Sequence, residues 1–523
     1  MLPLLDRRTT ARQEDGGTSA RVDVLVPVVA AVSLVVYTVH GFHGALTRDL
    51  GVYSYAGQQV AEGVPPYLGI LNRAGPLAHV LPSVGALAAR AGGWDDVVSM
   101  RVFFMLLATA SVCVTYLLGR DLFRSRVTGL VCAGTLLSFH GFIQYASNGP
   151  REKTPMVLFI LLALWAVNRR RWATAGACTA LATLCLQTAF FGTIAAVVVG
   201  VLLLAHGGRL RALVRVALGG LVPVAVLATW FALAGSLRAS VDAFYWINRR
   251  YTVPNPVRER LDAVWLDLHE AYGATVWLML VGAAALAAYS LAVVSRRARA
   301  ADPAVLVLPA MTAGLVAGLA WTLEDYDAWP DLFAVLPFAA VGVGGAYALA
   351  ARLLPSRAAV GLAAVLVATT LGLALEYAVS TRDHTLDEQR RATADVLAQL
   401  PPGATITSIE APQPLVLTRR TNPTRHQMFR SGLQDHLEDT WPGGRAGFER
   451  ALVADGPDLV AVGETVSRRW RDSLRPDYVY VGSAPQWDWY ARASLGEPAL
   501  ADLRTAAGFD PASRWNEPEV PSG

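Results

Sequence analysis

The sequence predicts a polytopic α-helical membrane protein that carries a small soluble α/β domain at its C-terminal end. Apolar stretches of about 20 residues, the length that crosses a bilayer as a helix, recur between residues 22 and 377 of the 523-residue chain. Charged residues make up only 16% of the chain, against about 25% in ordinary soluble proteins, and the mean hydropathy is +0.38. A soluble protein of this size would need polar helix faces, which these stretches lack.

The positions of the apolar stretches predict about eleven transmembrane helices. They lie at residues 22–42, 98–119, 127–146, 154–168, 172–187, 188–206, 213–235, 274–294, 304–322, 332–351 and 358–377. Stretch 22–42 lacks a small-residue cleavage pattern, so we interpret it as a retained anchor that follows a cytoplasmic tail, residues 1–21. A further apolar segment, 75–93, contains Pro82 and is predicted to lie along the membrane surface.

The distribution of arginine predicts the orientation of the helices. With the N-terminus inside, every short cytoplasmic connection is basic, as the positive-inside rule requires. Counting 75–93 as a span would invert the predicted orientation of all later helices, and their basic connections would then lie outside. Eleven spans therefore place residues 378–523 outside. The basic residues are Arg7, Arg8, Arg12, Arg21, Arg120, Arg124, Arg126, Arg169, Arg170, Arg171, Arg209, Arg211, Arg215, Arg296, Arg297, Arg299, Arg352 and Arg357.

Residues 378–523 have a different pattern from the rest of the chain. A helix-like stretch, "DEQRRATADVLAQL", is followed by short β-like runs, "ATITSIEA", "PDLVAVG" and "DYVYVGS", which Pro and Gly separate. This alternation predicts an extracytoplasmic α/β domain. The domain has no Cys, and the four Cys of the chain lie within apolar runs, so we predict neither disulfides nor a cysteine metal site.

The predicted outer connections gather charged and aromatic side chains at one face of the membrane. Charges next to hydrocarbon are costly, so they persist where they pair, face water or bind a ligand. The first connection is a long loop, residues 43–97, that includes interfacial helices. The residues are Arg48, Asp49, Tyr53, Tyr55, Glu62, Tyr67, Asn72 and Arg73 in this loop, Arg151, Glu152 and Lys153 in the second, Tyr245, Asn248, Arg249, Arg250 and Tyr251 in the third, and Glu324, Asp325, Asp327 and Asp331 in the fourth.

These residue types suit the transfer of a sugar from a lipid-linked phosphate. Guanidinium forks and an ammonium bind phosphate or diphosphate. An isolated acid such as Asp49 can take the proton of an incoming nucleophile. Aromatic side chains and Asn suit a sugar, and helices parallel to the membrane would guide a lipid tail. Together they describe sugar transfer from a polyprenyl-phosphate carrier to an acceptor hydroxyl.

The order of the motifs resembles the GT-C glycosyltransferases over about residues 22–377. The order is a first span, a loop with "RDLGVYSYAGQQVAEGVPPY", "GPL" at the start of an interfacial helix, and then "GWDDVVSMRVFFMLLATASVCVTYLLGRDLF". Within that superfamily the chain looks closest to the branch of protein O-mannosyltransferases and lipid A aminoarabinose transferases. This branch includes actinobacterial and archaeal proteins described as dolichyl-phosphate-mannose mannosyltransferases.

The resemblance implies particular roles for several residues. The family's catalytic base follows the first span and falls on Asp49. The basic residue of the motif after "GVPPY" falls on Arg73, offset by one position. Where the family has an Arg-rich outer loop, this chain has "PREKTP". Arg151 and Lys153 are therefore either phosphate ligands there or loop charges that pair with Glu152. "WPDLFAVLPFAAVG" resembles the start of a late span in this branch.

Some of these residues also have a purely structural interpretation. Asp49 could simply start an interfacial helix as an N-cap, and Arg249 and Arg250 could contact lipid headgroups rather than the carrier. We name Tyr53, Tyr67, Asn248 and Asp325 as candidates for contact with sugar or acceptor. Glu324, Asp325 and Asp327 form either a solvated loop or a weak divalent-metal site. The resembled branch is not known to need a metal, so no cofactor is predicted with it.

We predict an inverting glycosyltransferase in a bacterial plasma membrane, with mannose as the sugar that the closest-looking relatives suggest. Its partners would be a polyprenyl-phosphate sugar and a protein, lipid or glycan acceptor, and no nucleic acid. One alternative is a transporter or lipid flippase, which should show charges in the middle of its spans and paired broken helices. A second is a membrane scaffold whose outer domain does the binding, for which Asp49→Ala would be harmless.

Overall fold

The computed structural model describes residues 23–295, 303–430, 432–475 and 477–509. The predicted tail 1–21 and the basic residues Arg296, Arg297 and Arg299 lie outside the described residues. The helices up to residue 380 are α1 (Leu25–His40), α2 (Arg48–Ala61), α3 (Leu77–Gly92), α4 (Asp96–Phe123), α5 (Arg126–Ser138), α6 (His140–Asn148), α7 (Lys153–Asn168), α8 (Trp172–Cys185), α9 (Ala189–Leu204), α10 (Arg209–Leu233), α11 (Leu237–Val241), α12 (Asn248–Tyr251), α13 (Leu261–Tyr272), α14 (Thr275–Ser295), α15 (Val307–Glu324), α16 (Leu336–Leu353) and α17 (Ser356–Ser380).

The predicted apolar stretches all fold as helices. Six helices of the described chain are long and apolar enough to cross a membrane, in the regions of α4, α10, α14, α15, α16 and α17. Helices α5 and α6 meet at a bend of 70° and make a seventh span if they are counted together. The shorter apolar helices α1, α7, α8 and α9 occupy the other predicted positions. The protein is an integral membrane protein, as predicted, while the total of eleven spans stays a prediction.

Small residues allow neighbouring helices to approach closely. A Cβ atom on Gly219 of α10 would lie 1.9 Å from the carbonyl oxygen of Ala173 in α8, and one on Gly176 of α8 would meet Val216 of α10 just as closely. Lipid gives apolar helices little hydrophobic reason to associate, so such backbone contacts contribute much of their packing. The pairing of α8 with α10 therefore depends on glycine at both positions.

The two ends of the helix bundle carry different charged contacts. At one end, Arg120 donates to Asp23 (2.8 Å) and Arg169 to Asp121 (2.7 Å). Arg120, Asp121 and Arg169 belong to connections that we predict to be cytoplasmic, and Asp23 lies at the start of the first predicted span. At the other end, which we call the Asp49 end, Arg151 meets Asp49 and Lys153 meets Asp331. The predicted outer connections thus come together in space, at the end opposite to the basic connections.

The segment after α17 folds into the α/β domain that its pattern predicts. Its helices are α18 (Thr385–Ala398), α19 (Gln413–Thr418), α20 (Leu433–Thr440), α21 (Gly444–Asp455), α22 (Arg468–Leu474) and α23 (Glu497–Ala506). Strands β1 (Ile406–Ile409), β2 (Leu459–Gly463), β3 (Tyr478–Ala484) and β4 (Trp487–Arg492) form a sheet in the order β1-β2-β4-β3. Strands β1 and β2 are parallel, and β4 runs antiparallel to both its neighbours.

This α/β domain packs on helix α2 at the Asp49 end. A Cβ on Gly51 would come within 3.1 Å of Pro412, so the two backbones approach closely there. Further along α2, the hydroxyl of Tyr55 accepts a hydrogen bond from the N–H of Asn422 (2.9 Å), and Gln58 donates to the carbonyl of Val416 (3.1 Å). One face of α2 is thus fixed by the C-terminal domain.

Candidate active site

Asp49 lies in the first turn of α2, a few residues after the end of α1. Thr47 is the N-cap of this helix, and its side chain accepts the N–H of Leu50 at 3.5 Å. Thr47, and not Asp49, therefore caps the helix, which leaves the carboxylate of Asp49 available for other contacts. A carboxylate in the first turn is also favoured by the helix dipole.

The carboxylate of Asp49 is held by two guanidinium groups. Arg151 donates to Oδ2 at 2.6 Å, and Arg48 donates to Oδ1 through Nε (2.9 Å) and Nη2 (2.8 Å). The side chain of Asp49 is 38% exposed, whereas that of Arg151 is only 10% exposed. Asp49 is therefore the accessible member of the cluster, and the cations that hold it are more deeply buried.

The C-terminal domain completes this cluster with Glu410, a residue that our sequence analysis did not identify. Its Oε2 accepts Arg48 Nη1 at 3.1 Å, while Oε1 accepts the backbone N–H groups of Arg430 (2.9 Å) and Phe429. Glu410 is buried and has a left-handed backbone, with φ of 58°. Non-glycine residues in this region of φ are uncommon and occur often at functional sites. We refer to Arg48, Asp49, Arg151, Glu152 and Glu410 as the Asp49 cluster.

Arg151 also contacts an acid and two aromatic rings. Its Nε lies 3.3 Å from Oε2 of the buried Glu152, but neither atom makes an aligned hydrogen bond within the described residues. Its guanidinium lies over the rings of Tyr53 and Tyr145, at 5.6 and 5.3 Å from their centres. Tyr53, predicted to contact sugar or acceptor, is thus placed beside the Asp49 cluster.

The charges of the cluster set the protonation of Asp49. Burial on its own would raise the pKa of this carboxyl group, but Arg151 and Arg48 outweigh that effect and hold the pKa well below its ordinary range. Arg151 behaves in the opposite way: burial favours its neutral form, and the nearby Glu152 and Asp49 raise its pKa well above the ordinary value. The pair is therefore fully ionised at physiological pH.

Lys153 pairs with the fourth outer connection and not with Asp49. Its Nζ lies 2.5 Å from Asp331, whose other oxygen accepts the backbone N–H groups of Asp327 (2.8 Å) and Ala328 (3.3 Å). The ring of Tyr145 stacks on Trp329 at 5.0 Å, packs on Phe333 at 5.6 Å and also faces the guanidinium of Arg151. Tyr145 therefore connects the Lys153 pair to the Asp49 cluster.

Arg73 has no carboxylate within ion-pair distance in the described chain. It donates to Thr252 at 2.6 Å and lines a cavity of about 160 Å³ together with Asp325 and Asp327. Burial lowers its pKa, and the two acids only partly oppose this. Asn248 donates its amide to the backbone carbonyl of Arg73 at 3.0 Å, so its observed contact fixes the segment that carries Arg73.

Three predicted site residues make their contacts elsewhere. Tyr67 is completely buried and donates its hydroxyl to the carbonyl of Ala74 at 2.8 Å, so no part of it is open to a sugar. Arg249 is exposed and donates to Tyr245, and the exposed Arg250 lies 3.5 Å from Asp439 of the C-terminal domain. The structure does not bring these three side chains into contact with the Asp49 cluster.

The acids of the fourth connection do not gather around a common point. Glu324 pairs with Arg258 at 3.0 Å on the exposed surface, whereas Asp331 pairs with Lys153. The pKa of Asp325 is raised by burial and by the negative charges of Asp327 and Asp331. Within the residues that the structure describes, no group of three or more His, Cys, Asp or Glu has the arrangement of a metal site. The suggested site at Glu324, Asp325 and Asp327 gains no support from this geometry.

The helix bundle with its C-terminal α/β domain resembles in fold ArnT, a membrane protein of the GT-C architecture. The chain is similar to ArnT from Cupriavidus metallidurans, a lipid A aminoarabinose transferase, in two solved structures. The structure bound to undecaprenyl phosphate matches with a TM-score of 0.51 and 15% identity, and the apo structure with 0.53 and 16%. Both matches cover 90% of this chain and 99% of ArnT.

These matches confirm the predicted resemblance at the level of the fold. No family model matches the chain, and no curated protein does either. The mannosyltransferase subtype, the group of organisms and the roles of individual residues remain predictions.

Proposed function

We propose that this chain is a membrane glycosyltransferase that moves a sugar from a polyprenyl-phosphate carrier to an acceptor hydroxyl on the extracytoplasmic side. The observation that carries the proposal is the contact of Asp49 with Arg151 and Arg48, at 2.6 and 2.8 Å. It joins a candidate base to a candidate phosphate ligand, Arg151, at the end of the bundle where the predicted outer connections meet. The ArnT structure that shares this fold holds undecaprenyl phosphate, which supports a carrier of that class.

The proposed reaction is a single inverting displacement. The acceptor oxygen attacks the anomeric carbon of the sugar as the bond from that carbon to the phosphate oxygen breaks. Asp49 takes the proton of the acceptor hydroxyl, and the bonding electrons leave with the phosphate. Arg151 and Arg73 hold this phosphate and stabilise its charge, since preorganised donors act most strongly on charge that develops in a protected site. Tyr53 borders the sugar.

Arg151 has to change partners during this reaction. In the structure Asp49 is paired with Arg151, and a carboxylate with a strongly lowered pKa is a weak base. A lipid phosphate that takes over the N–H groups of Arg151 would loosen its hold on Asp49 and raise the basicity of the carboxylate. Binding of the donor would thus prepare the base, and Arg48, which Glu410 holds in place, would keep Asp49 oriented.

Transfer of a labelled sugar in membranes that contain the protein tests this function. Undecaprenyl-phosphate mannose is the first donor to try, and undecaprenyl-phosphate aminoarabinose is the second. We expect labelled sugar to appear on an acceptor, together with an equal molar amount of free undecaprenyl phosphate. Label that crosses the membrane on an intact carrier would instead support a transporter or flippase and would contradict the enzyme.

A further inference from the structure

A second cavity, of about 630 Å³, lies between the connection that follows α10 and the C-terminal domain. Its volume falls in the range of small-molecule sites, roughly 300–1,000 Å³. No member of the Asp49 cluster lines it. The charged, imidazole and indole side chains that line it are Arg238, Asp242, Arg425, His426, His436 and Trp441.

Arg425 is the group in this cavity that points to an anionic ligand. It is half-buried, and no hydrogen bond or ion pair of its guanidinium occurs in the described part of the chain. Asp242, the acid that acts on it electrostatically, is already within 3.9 Å of the exposed Arg238. Burial lowers the pKa of Arg425, which is the usual sign of a cation that lacks a partner. A half-buried guanidinium that no acid of the described chain pairs with can form charge-assisted hydrogen bonds to an anion in the cavity.

His426 and Trp441 give the cavity the surfaces that a sugar needs. The side chain of His426 is 8% exposed, its ring nitrogens have no hydrogen-bond partner among the described residues, and it lines the cavity. Its ring meets that of Trp441 edge to face at 5.4 Å. Burial and the neighbouring Arg425 lower the pKa of His426 to about 4, so the ring is neutral at pH 7. A neutral imidazole can both donate to and accept from hydroxyl groups, and an indole offers an apolar face with a polar edge.

The cavity is next to the segment that carries Arg73. The N–H of Leu71 donates to the carbonyl of Arg425 at 2.9 Å, and Leu71 lines this cavity while Arg73, two residues on, lines the smaller one. Tyr251, which lines the smaller cavity, has its ring 5.5 Å from that of His436, which lines the larger. Residues that line the larger cavity are therefore in direct contact with residues that line the smaller one.

We propose that this cavity binds a phosphate- or carboxylate-bearing saccharide, with Arg425 on the anionic group and His426 and Trp441 on the sugar. This site goes beyond the proposed function: it is distinct from the Asp49 cluster, none of whose residues lines it, and the C-terminal domain and the membrane domain hold the saccharide between them. The same chemistry can come from a soluble glycan or from the headgroup of a glycolipid.

Binding to the full-length protein in phosphatidylcholine nanodiscs tests the site with two probes. Glucose 6-phosphate, followed by saturation-transfer NMR, represents the soluble source, and phosphatidylinositol added to the nanodiscs represents the lipid source. Glucose is the neutral control. We expect the wild type to prefer glucose 6-phosphate to glucose, or to enrich phosphatidylinositol, and Arg425→Gln to weaken that binding by about tenfold or more, since hydrogen bonds to charged groups are the strong ones. Arg425→Lys should retain part of the affinity.

Two controls separate this inference from the proposed function. Arg469→Gln, an exposed change in the same domain, should bind the probes as the wild type does. Arg425→Gln should also bind undecaprenyl phosphate with unchanged affinity, because the donor site is elsewhere. Equal affinity of the wild type and Arg425→Gln for both probes, or no binding of either probe to the wild type, would overturn the inference. Failure of the wild type to bind undecaprenyl phosphate would count against the proposed function alone.

Discussion

Arg151 Nη1 and Asp49 Oδ2 are 2.6 Å apart, although 102 positions of sequence separate the two residues. One follows α6, the other begins α2, and both lie at the end of the bundle covered by the C-terminal domain. The contact places an accessible carboxylate on a buried cation, the combination that a reaction with a phosphate leaving group requires.

Arg151→Gln should lower the rate of sugar transfer by about 10²–10³-fold, the usual effect of losing one preorganised donor to developing charge. The dissociation constant for undecaprenyl phosphate should rise as well, because the same group holds the ground-state phosphate. Kinetics of transfer and binding of undecaprenyl phosphate to purified protein measure both effects. Arg391→Gln, an exposed change in the C-terminal domain, is the matched control. A variant Arg151→Gln with normal kinetics would remove Arg151 from the site.

The ionisation of Asp49 predicts how the protein responds to acid. Its pKa is lowered in the folded state, so the stabilisation from its ion pairs is present above the unfolded pKa of about 4 and is lost only as the pH falls through the lower folded value. Thermal stability from pH 8 to 5 should therefore show no loss that depends on Asp49. In Arg151→Gln the pKa of Asp49 should rise, so the acid limb of the pH–rate profile should move to higher pH. An unchanged limb would show that Arg151 does not control this carboxyl group.

Glu410→Gln should lower transfer by roughly tenfold while the helix bundle stays folded. The amide keeps the shape of the side chain but removes the charge that fixes Arg48, and a misplaced group near the reacting atoms costs rate even when it is not itself reactive. The loss should appear in kcat more than in the affinity for undecaprenyl phosphate. Glu388→Gln, on the exposed face of α18, is the control. Equal kcat in the wild type and Glu410→Gln would show that the C-terminal domain does not act on Asp49 through Arg48.

Gly51→Leu should separate the C-terminal domain from α2. The added side chain would meet Pro412, which a Cβ alone approaches to 3.1 Å, and overpacking of this kind costs about 1–3 kcal/mol. We expect a lower Tm and less transfer, with faster proteolysis of the C-terminal domain than of the spans. Gly361→Leu adds the same side chain where no atom lies within 4 Å and should keep its activity. A fully stable Gly51→Leu would contradict the close docking of the two parts.

The sequence was most informative where local patterns determine the structure. Apolar stretches predicted the helices because a segment of about 20 apolar residues in lipid satisfies its own backbone hydrogen bonds when it folds as a helix. The distribution of arginine then placed Asp49, Arg151 and Lys153 at the same end of the bundle. Strand β4 was missed because its "WDWYAR" carries Asp488 and Arg492, which argue against a buried strand. The structure shows that Asp488 is buried against Arg471, so a tertiary contact overrides the local signal.

Partners of individual charges could not be predicted in the same way. Lys153 pairs with Asp331, and Arg250 lies against Asp439, because these choices depend on how distant loops pack. Glu410 gave only a weak local signal, a single acid near the end of the β-like run "ATITSIEA". Its role depends on the docking of the C-terminal domain on α2, and the hydrophobic pattern of the sequence does not predict that docking. Tyr67 ends the sequence "GVPPY". Its ring packs on that of His79 at 4.5 Å, and this packing buries it.

The turnover of purified Asp49→Asn tests the central claim most directly. Transfer from a polyprenyl-phosphate sugar and binding of undecaprenyl phosphate would be measured on the same preparation, beside the wild type. The account predicts a fall in kcat of about 10²–10⁴-fold, the usual contribution of a general base, with undecaprenyl phosphate bound at least as tightly because Arg151 loses its competing carboxylate. A kcat within a factor of about two of the wild type would contradict a role for Asp49 as the base.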